Sequence, residues 1–379
     1  MVSILRRYVE QESPSGSAEA IASLVALIAA DFVAIGGRVR LHKLGGHVAA
    51  KSVAANDAQH GPALQVDFTG PRGSPRVLLL GHTDTVYPLG TLKTMPWRER
   101  GGRLCGPGAF DMKGGIVQAL FALRAMLERG PLPCAVTLLL VPDEEIGSPA
   151  SRPLTERLAL KSSAVLVLEP AAGAEGACKT SRKGIARYTL RVHGVAAHAG
   201  LDFERGASAI VEAAYQVVAI SALSRPAKGL TLNPGVISGG TRSNVVAEFV
   251  EVEVDVRFFT AAQAARVDAV IRKLRPRDSR CRLEILGGLE RGPFERSKQT
   301  VRLYRMAAQA AVELGFQLAE AAVGGGSDGN LTAALGVPTL DGLGAVGDGA
   351  HAASEFAVAR EMPRRSALLA ALMTSLAAV

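Results

Sequence analysis

The chain has 379 residues, 48% of them hydrophobic and 21% charged, which exceeds what one hydrophobic core usually serves, so two domains are expected. Its formal charge of +8 and isoelectric point near 9.5 come from Lys and Arg dispersed among Asp and Glu, without a basic block or interleaved aromatics, which argues against a nucleic-acid partner. No apolar run reaches the roughly 18 residues of a membrane span. The N-terminal stretch has no signal-peptide order, so no membrane partner and a cytoplasmic location are the default expectations. Cys105, Cys134, Cys178 and Cys281 show no CxxC pairing, which points to small buried hydrophobes instead of a thiolate cluster or disulfide framework.

In chain order, the pattern predicts a helix near residues 16 to 35, a strand over Arg76 to Gly81, a helix from Gly114 to Glu128, and strands over Ala135 to Val141 and Ala164 to Leu168. Such alternation argues for an α/β layer with a mostly parallel sheet flanked by helices, whose functional loops lie beyond the carboxyl ends of the strands. From about Cys178 the texture changes. ARYTLRVHG and AEFVEVEVDVRFF alternate apolar with polar residues, and helical runs fall over Ala207 to Leu223 and Ala261 to Leu274, an α+β pattern of an antiparallel sheet with two helices. The expected division is 1–177 with 289–379 as one domain and 178–288 as an insertion. Beyond it come a helix, the GGGSDGN loop, a short strand at Val337 to Leu340 and a last amphipathic helix.

The residues that carry chemistry sit at the strand ends. LLLGHTDTV delivers His82 and Asp84, and alternate residues of an extended segment share a face, so Asp84 can hold the second ring nitrogen of His82. GPGAFDMKGG presents Asp111 from a glycine-rich turn, a position that equally suits a helix N-cap. VTLLLV runs into PDEEIGS, where Glu144 and Glu145 point to opposite sides if the chain stays extended; a solvated acidic turn is the plain alternative. AVLVLEP ends on Glu169, and GDGAHAASEF supplies His351. Together these residues form a nitrogen and oxygen donor set of the kind that borderline-soft zinc accepts. His42, His47, His60 and His193 lie outside these motifs and read as surface or satisfied histidines.

GHTDT, GPGAFDMKGG, PDEEIGS, LEP, HAG, SNVV, DVRF, GGGSDG and the final His351 follow one another over nearly the whole chain. In this order the sequence resembles the dizinc exopeptidases, which include glutamate carboxypeptidase, acetylornithine deacetylase, succinyl-diaminopimelate desuccinylase and aminoacylase; the wording is nearest the glutamate carboxypeptidase branch. The resemblance implies a catalytic domain of the zinc exopeptidase type with an inserted lid and dimerisation domain. It implies two zinc ions per chain, with cobalt or manganese as substitutes: His82, Asp111 and Glu169 on one, Glu145, Asp111 and His351 on the other. It makes Glu144 the general base toward a zinc-bridged water, Asp84 the partner of His82, and His198 the histidine that reaches a partner subunit's active site in a homodimer. It places Asn244, Arg257, Gly325, Gly326 and Ser327 near the substrate, and a cis peptide between Asp111 and Met112. Ala352 and Ala247 depart from residues common in relatives, and neither is a ligand.

The implied activity is hydrolysis of a peptide or N-acyl amide bond next to a free carboxylate, in a small peptide or N-acyl amino acid. A deacylase of the acetylornithine or succinyl-diaminopimelate type uses the same metals with a different pocket. A metal-dependent binding protein that lost catalysis has no need of Glu144, and a nucleic-acid binder rests on charge alone.

Overall fold

The computed structural model describes residues 1–45 and 60–378; His47 lies outside them. The chain divides into two compact units, Met1–Thr180 with Arg296–Val323 and Ser327–Val379, and Ser181–Glu295 with Gly324–Gly326.

The first unit opens with α1 (Val2–Val9), α2 (Ala18–Ala34), β1 (Arg38–His42), β2 (Ala63–Phe68), β3 (Arg76–His82), β4 (Arg98–Arg100), β5 (Arg103–Cys105) and α3 (Gly114–Glu128). It continues through β6 (Ala135–Val141), α4 (Arg152–Ala159), β7 (Ala164–Val167) and β8 (Cys178–Arg182), which leads into the second unit. There lie β9 (Gly184–His193), α5 (Ala209–Ser221), β10 (Thr231–Gly239), β11 (Phe249–Phe258), α6 (Ala261–Ile271) and β12 (Arg282–Arg291). The chain then returns as α7 (Lys298–Glu313), β13 (Glu320–Val323), α8 (Asp328–Ala334), β14 (Thr339–Leu340), β15 (Gly347–Asp348), β16 (Phe356–Val358) and α9 (Glu361–Ala377).

The main sheet of the first unit has the order β1-β2-β6-β3-β7-β14. Strands β6, β3, β7 and β14 are parallel, and β2 and β1 add an antiparallel edge that the sequence pattern did not announce. Strand alternation sorts the side chains to two faces. Val77, Leu79, Val136, Leu138, Ala164 and Leu166 enter one buried cluster, together with residues of α1, α2, α3, α7 and α9. Leu78, Leu80, Leu139, Val141, Val165 and Val167 enter another, with Leu154 and Ala159 of α4. Both faces are covered, as parallel sheets require. The carboxyl ends of β3, β6 and β7 therefore lie side by side, and the chain leaves each at His82, Val141 and Val167.

The second unit is the antiparallel sheet β10-β11-β9-β12. Val250, Val252, Val254, Val256 and Phe258 of β11 alternate with polar residues and pack with Ala186, Tyr188, Leu190 and Val192 of β9, and with Ala213, Ile220, Val267 and Ile271 of the two helices. The opposite face carries ion pairs such as Arg191 Nε to Glu251 Oε2 at 2.7 Å. Thr260 begins α6 with a reciprocal capping box to Gln263.

Candidate metal centre

Three parallel strands deliver the first half of the site. His82 is the last residue of β3 and only 2% exposed. Its Nδ1 lies 2.9 Å from the backbone carbonyl oxygen of Asp84 and 3.4 Å from that residue's Oδ1. The carbonyl is the nearer acceptor, so it fixes the tautomer with the proton on Nδ1 and turns Nε2 toward the acids. The Asp84 carboxylate is engaged elsewhere: Oδ1 accepts from the Glu144 N–H at 3.2 Å, and Oδ2 accepts from the Glu145 N–H at 3.1 Å and the Ser15 hydroxyl at 2.7 Å. Asp84 thus organises the acidic turn as much as the imidazole.

That turn departs from the extended form expected of it. β6 stops at Val141, and Glu144–Ile146 forms a single 3-10 turn. Successive residues of a 3-10 helix are about 120° apart, so here the two side chains leave the backbone in different directions without strand alternation.

The second half of the site comes from loops distant in sequence. Asp111 lies in a tight turn whose peptide bond to Met112 is cis. Its Oδ1 is 3.2 Å from His82 Nε2, and its Oδ2 is 3.4 Å from His351 Nε2. His351, with a left-handed φ of 64°, also sits 3.2 Å from Glu145 Oε2, while His82 Nε2 is 3.5 Å from Glu169 Oε1. Among the described residues, ligand atoms of His82, Asp111 and Glu145, and those of His82, Glu144 and Glu169, converge within 4.8 Å of one another.

Electrostatics make this an unusual cluster to bury. Burial alone lowers the pKa of His82, but contacts with Asp111, Asp84 and Glu169 overcome it and push the imidazole well above its ordinary value. Hydrogen bonding to Asp111 and Glu145 raises His351 to about 10 against its partial burial. Burial works to raise Asp111, yet His351 and His82 hold it far below the usual carboxylate range, whereas burial raises Glu145. Five carboxylates surround two imidazoles, and the buried Oε1 of Glu145 has no hydrogen-bond partner. A nitrogen and oxygen donor set with surplus negative charge and an orphaned carboxylate oxygen fits divalent metal ions.

Sequence reasoning passed over Glu355, four residues after His351. Fully buried, it accepts the N–H groups of Gly108, Phe110 and Asp111 at 3.2, 2.8 and 2.9 Å and the Tyr87 hydroxyl at 2.6 Å, and so shapes the turn that presents Asp111. The only signal was an acid beside a ligand motif, which is common on surfaces.

The remaining predicted residues fall as follows. His198, Asn244 and Arg257 belong to the second unit. There the Ala199 N–H donates to the Asn244 carbonyl at 3.0 Å, and exposed His198 accepts the Gly200 and Leu201 N–H groups on Nδ1 at 3.1 and 3.2 Å. Arg257 makes a bidentate pair with Asp255 at 2.8 and 3.0 Å. The carbonyls of Gly325 and Gly326 accept from Arg182 at 3.2 and 3.1 Å. Ser327 is fully buried in the first unit: its hydroxyl caps α8 and donates to Asp341 at 2.6 Å, and its N–H donates to Asn330 at 3.0 Å.

A two-unit α/β protein with a candidate divalent-metal centre of clustered carboxylates and imidazoles is the class these features define. Residues 78–375 match the peptidase family M20/M25/M40, and the chain belongs to that family. It is therefore a hydrolase of the metallopeptidase type. Over its whole length it is 30% identical to carboxypeptidase G2 of Pseudomonas sp. (strain RS-16), covering 89% of that protein. In fold it is similar to aminopeptidase PepT of Bacillus cereus, with a TM-score of 0.79, 22% identity, and 99% and 98% of the two chains covered. A tripeptidase of Staphylococcus aureus superposes with a TM-score of 0.80 at 19% identity, over 100% and 98%.

Proposed function

We propose that the chain is a glutamate carboxypeptidase-like amidohydrolase that cleaves a peptide or N-acyl amide bond next to a free carboxylate. The observation that supports this most is the divided carboxylate of Asp111, one oxygen facing each imidazole. His82, Asp111 and Glu169 would hold one zinc ion, and Glu145, Asp111 and His351 the other. When bound, the ions polarise the scissile carbonyl and lower the pKa of water. Glu144, positioned through its N–H on Asp84, accepts the proton of the attacking water and returns it to the leaving amine. Asp84 and Glu355 keep His82 and Asp111 in place.

The second unit serves as lid and dimerisation domain. Arg257, preorganised by Asp255, grips the free carboxylate, with Asn244 and the Gly325–Gly326 backbone beside it, while Ser327 anchors that segment to α8. Exposed apolar side chains on α5 and β10, among them Val218 and Ile237 at 69% and 60%, accord with a homodimer in which His198 stabilises the oxyanion in the partner's site. The four cysteines are unpaired, in keeping with a cytoplasmic location.

The test is metal content together with hydrolysis of an N-acyl glutamate before and after chelation and zinc restoration. About two metal ions per chain with chelator-sensitive, zinc-restored cleavage is the expected result. Bound metal with activity only on N-acetylornithine or N-succinyl substrates would move the enzyme to the deacylase branch, and no bound metal would overturn the reading.

A further inference from the structure

Away from the strand ends, the face of the main sheet covered by α4 changes character at its antiparallel edge. The register places Arg38 opposite Asp67 and Arg40 opposite Gln65 across β1 and β2, and Asp67 opposite Thr137 across β2 and β6. Cross-strand partners share a face, so where Leu78, Leu80 and Leu139 fill the layer under α4, a polar row continues it outward. Arg157 and Leu158 of α4, with Lys161 just beyond it, close the far wall. The result is a basin of about 270 Å³ lined by Arg38, Arg40, Arg76, Arg157, Lys161 and the polar row.

The floor of the basin is satisfied internally. His42 Nε2 meets Gln65 Oε1 at 2.8 Å, Gln65 Nε2 donates to Asp67 Oδ2 at 2.8 Å, and the Thr137 hydroxyl donates to Asp67 Oδ1 at 2.7 Å. Arg76 donates to the Thr137 hydroxyl at 2.8 Å and stands 3.6 Å from Asp67. Among the described residues Asp67 is the one carboxylate in the lining, and it is already committed to these neighbours. Arg38, Arg40, Arg157 and Lys161, by contrast, have no ion-pair partner among the described residues. Two of these four come from an edge strand, one from the helix that packs on the same face and one from the turn just after that helix. Four cations crowded around a concavity with a neutralised floor repel one another, and a multiply charged anion seated between them reverses the sign of that interaction.

We propose that this basin is a binding site for a phosphate-sized oxyanion, free or as the phosphate group of a small ester. The guanidinium groups of Arg38, Arg40 and Arg157 supply planar paired donors, and Lys161 a point charge. A seated anion ties the β1 edge strand to α4, so occupancy raises thermal stability without entering the hydrolytic reaction. The proposal is independent of the function proposed above.

Calorimetric titration of the metal-loaded protein with inorganic phosphate, and in parallel with glycerol phosphate, tests it at fixed ionic strength. R40Q/R157Q is the informative variant, and unchanged peptide hydrolysis shows that it is folded. H82A/H351A is the control for phosphate bound at the metal centre. Binding that weakens about tenfold or more in R40Q/R157Q and persists in H82A/H351A upholds the site, and the tighter of the two probes identifies its source. Binding lost only in H82A/H351A, equal in all three proteins, or absent from the wild type overturns the proposal.

Discussion

Two neighbouring acids on one turn are assigned opposite tasks, and variants separate them. Glu145 lies 3.2 Å from His351, and the proposed function gives it to the ligand set and Glu144 the proton transfer. Glu144→Ala is therefore expected to lower kcat by about 10²-fold or more, the typical contribution of general acid–base catalysis, with metal content unchanged. Metal analysis beside steady-state kinetics decides it, and near-normal turnover would remove Glu144 from the mechanism. Asp84→Asn should behave differently. Its two carboxylate oxygens accept three hydrogen bonds, from Ser15, Glu144 and Glu145, and an amide offers only one acceptor oxygen in their place. Loss of this outer support should weaken metal binding about 10- to 100-fold, read by competition with a chelating dye.

At the scale of elements, the site depends on how closely the helices approach the strand ends. A Cβ added to Gly115 near the start of α3 would come within 2.1 Å of the Leu168 carbonyl oxygen, immediately before Glu169. Gly115→Ala must push α3 away from that strand end, at a cost of about 1–3 kcal/mol, and it should carry Glu169 off position as well. Thermal unfolding together with metal titration is expected to show both losses; a variant of native stability that still binds metal normally would mean that α3 has room to yield. In the second unit Glu212 of α5 plays a comparable anchoring part. Burial works to raise its pKa, but hydrogen bonds from Gln216 and from the backbone N–H groups of Asp278 and Arg277 hold it below its ordinary value. A depressed carboxylate contributes stability above its unfolded pKa and loses it as the pH falls through the folded one. Glu212→Gln should therefore unfold more readily at neutral pH and differ less from the wild type in acid, measured by urea titration at the two pH values.

These elements also show what the sequence could and could not convey. The strands over Ala135 to Val141 and Ala164 to Val167 were readable because buried parallel strands are unbroken apolar runs. β1 and β2 were not, since RVRLH looks like a charged surface and Gln65 and Asp67 interrupt the apolar pattern of β2. Their polar side chains line the basin, and His42, Gln65 and Asp67 are satisfied by one another and by Thr137, which no local pattern reveals. The same holds in part at the metal centre. The candidate donors, and the sharing of Asp111 between two sets, were legible through the motif order, but the support from Glu355 comes from tertiary packing. The Glu144–Glu145 geometry was misread in form because a one-turn helix of two acids has no sequence signal apart from that of a loop.

For the molecule as a whole, the decisive question is whether one chain completes its own site. Ile210, Val211, Tyr215 and Val218 on α5 and Val236 and Ile237 on β10 leave apolar surface exposed on the second unit, more than scattered surface residues require. If that surface joins two copies, Val218→Glu with Ile237→Glu should yield monomers by sedimentation. A mixing experiment then asks whether His198 acts across the interface. His198→Ala and Glu144→Ala homodimers are each expected to be nearly inactive. In a mixed dimer, the subunit that keeps Glu144 receives an intact His198 from its partner, so one of the two sites is whole. Random exchange makes half the dimers mixed, so activity should recover to about a quarter of the wild-type value for an isologous pair. Recovery that vanishes with the Val218→Glu and Ile237→Glu changes ties the effect to the interface; an exchanged but inactive mixture would place His198 within its own chain's site, and an active His198→Ala homodimer would place it outside the reaction.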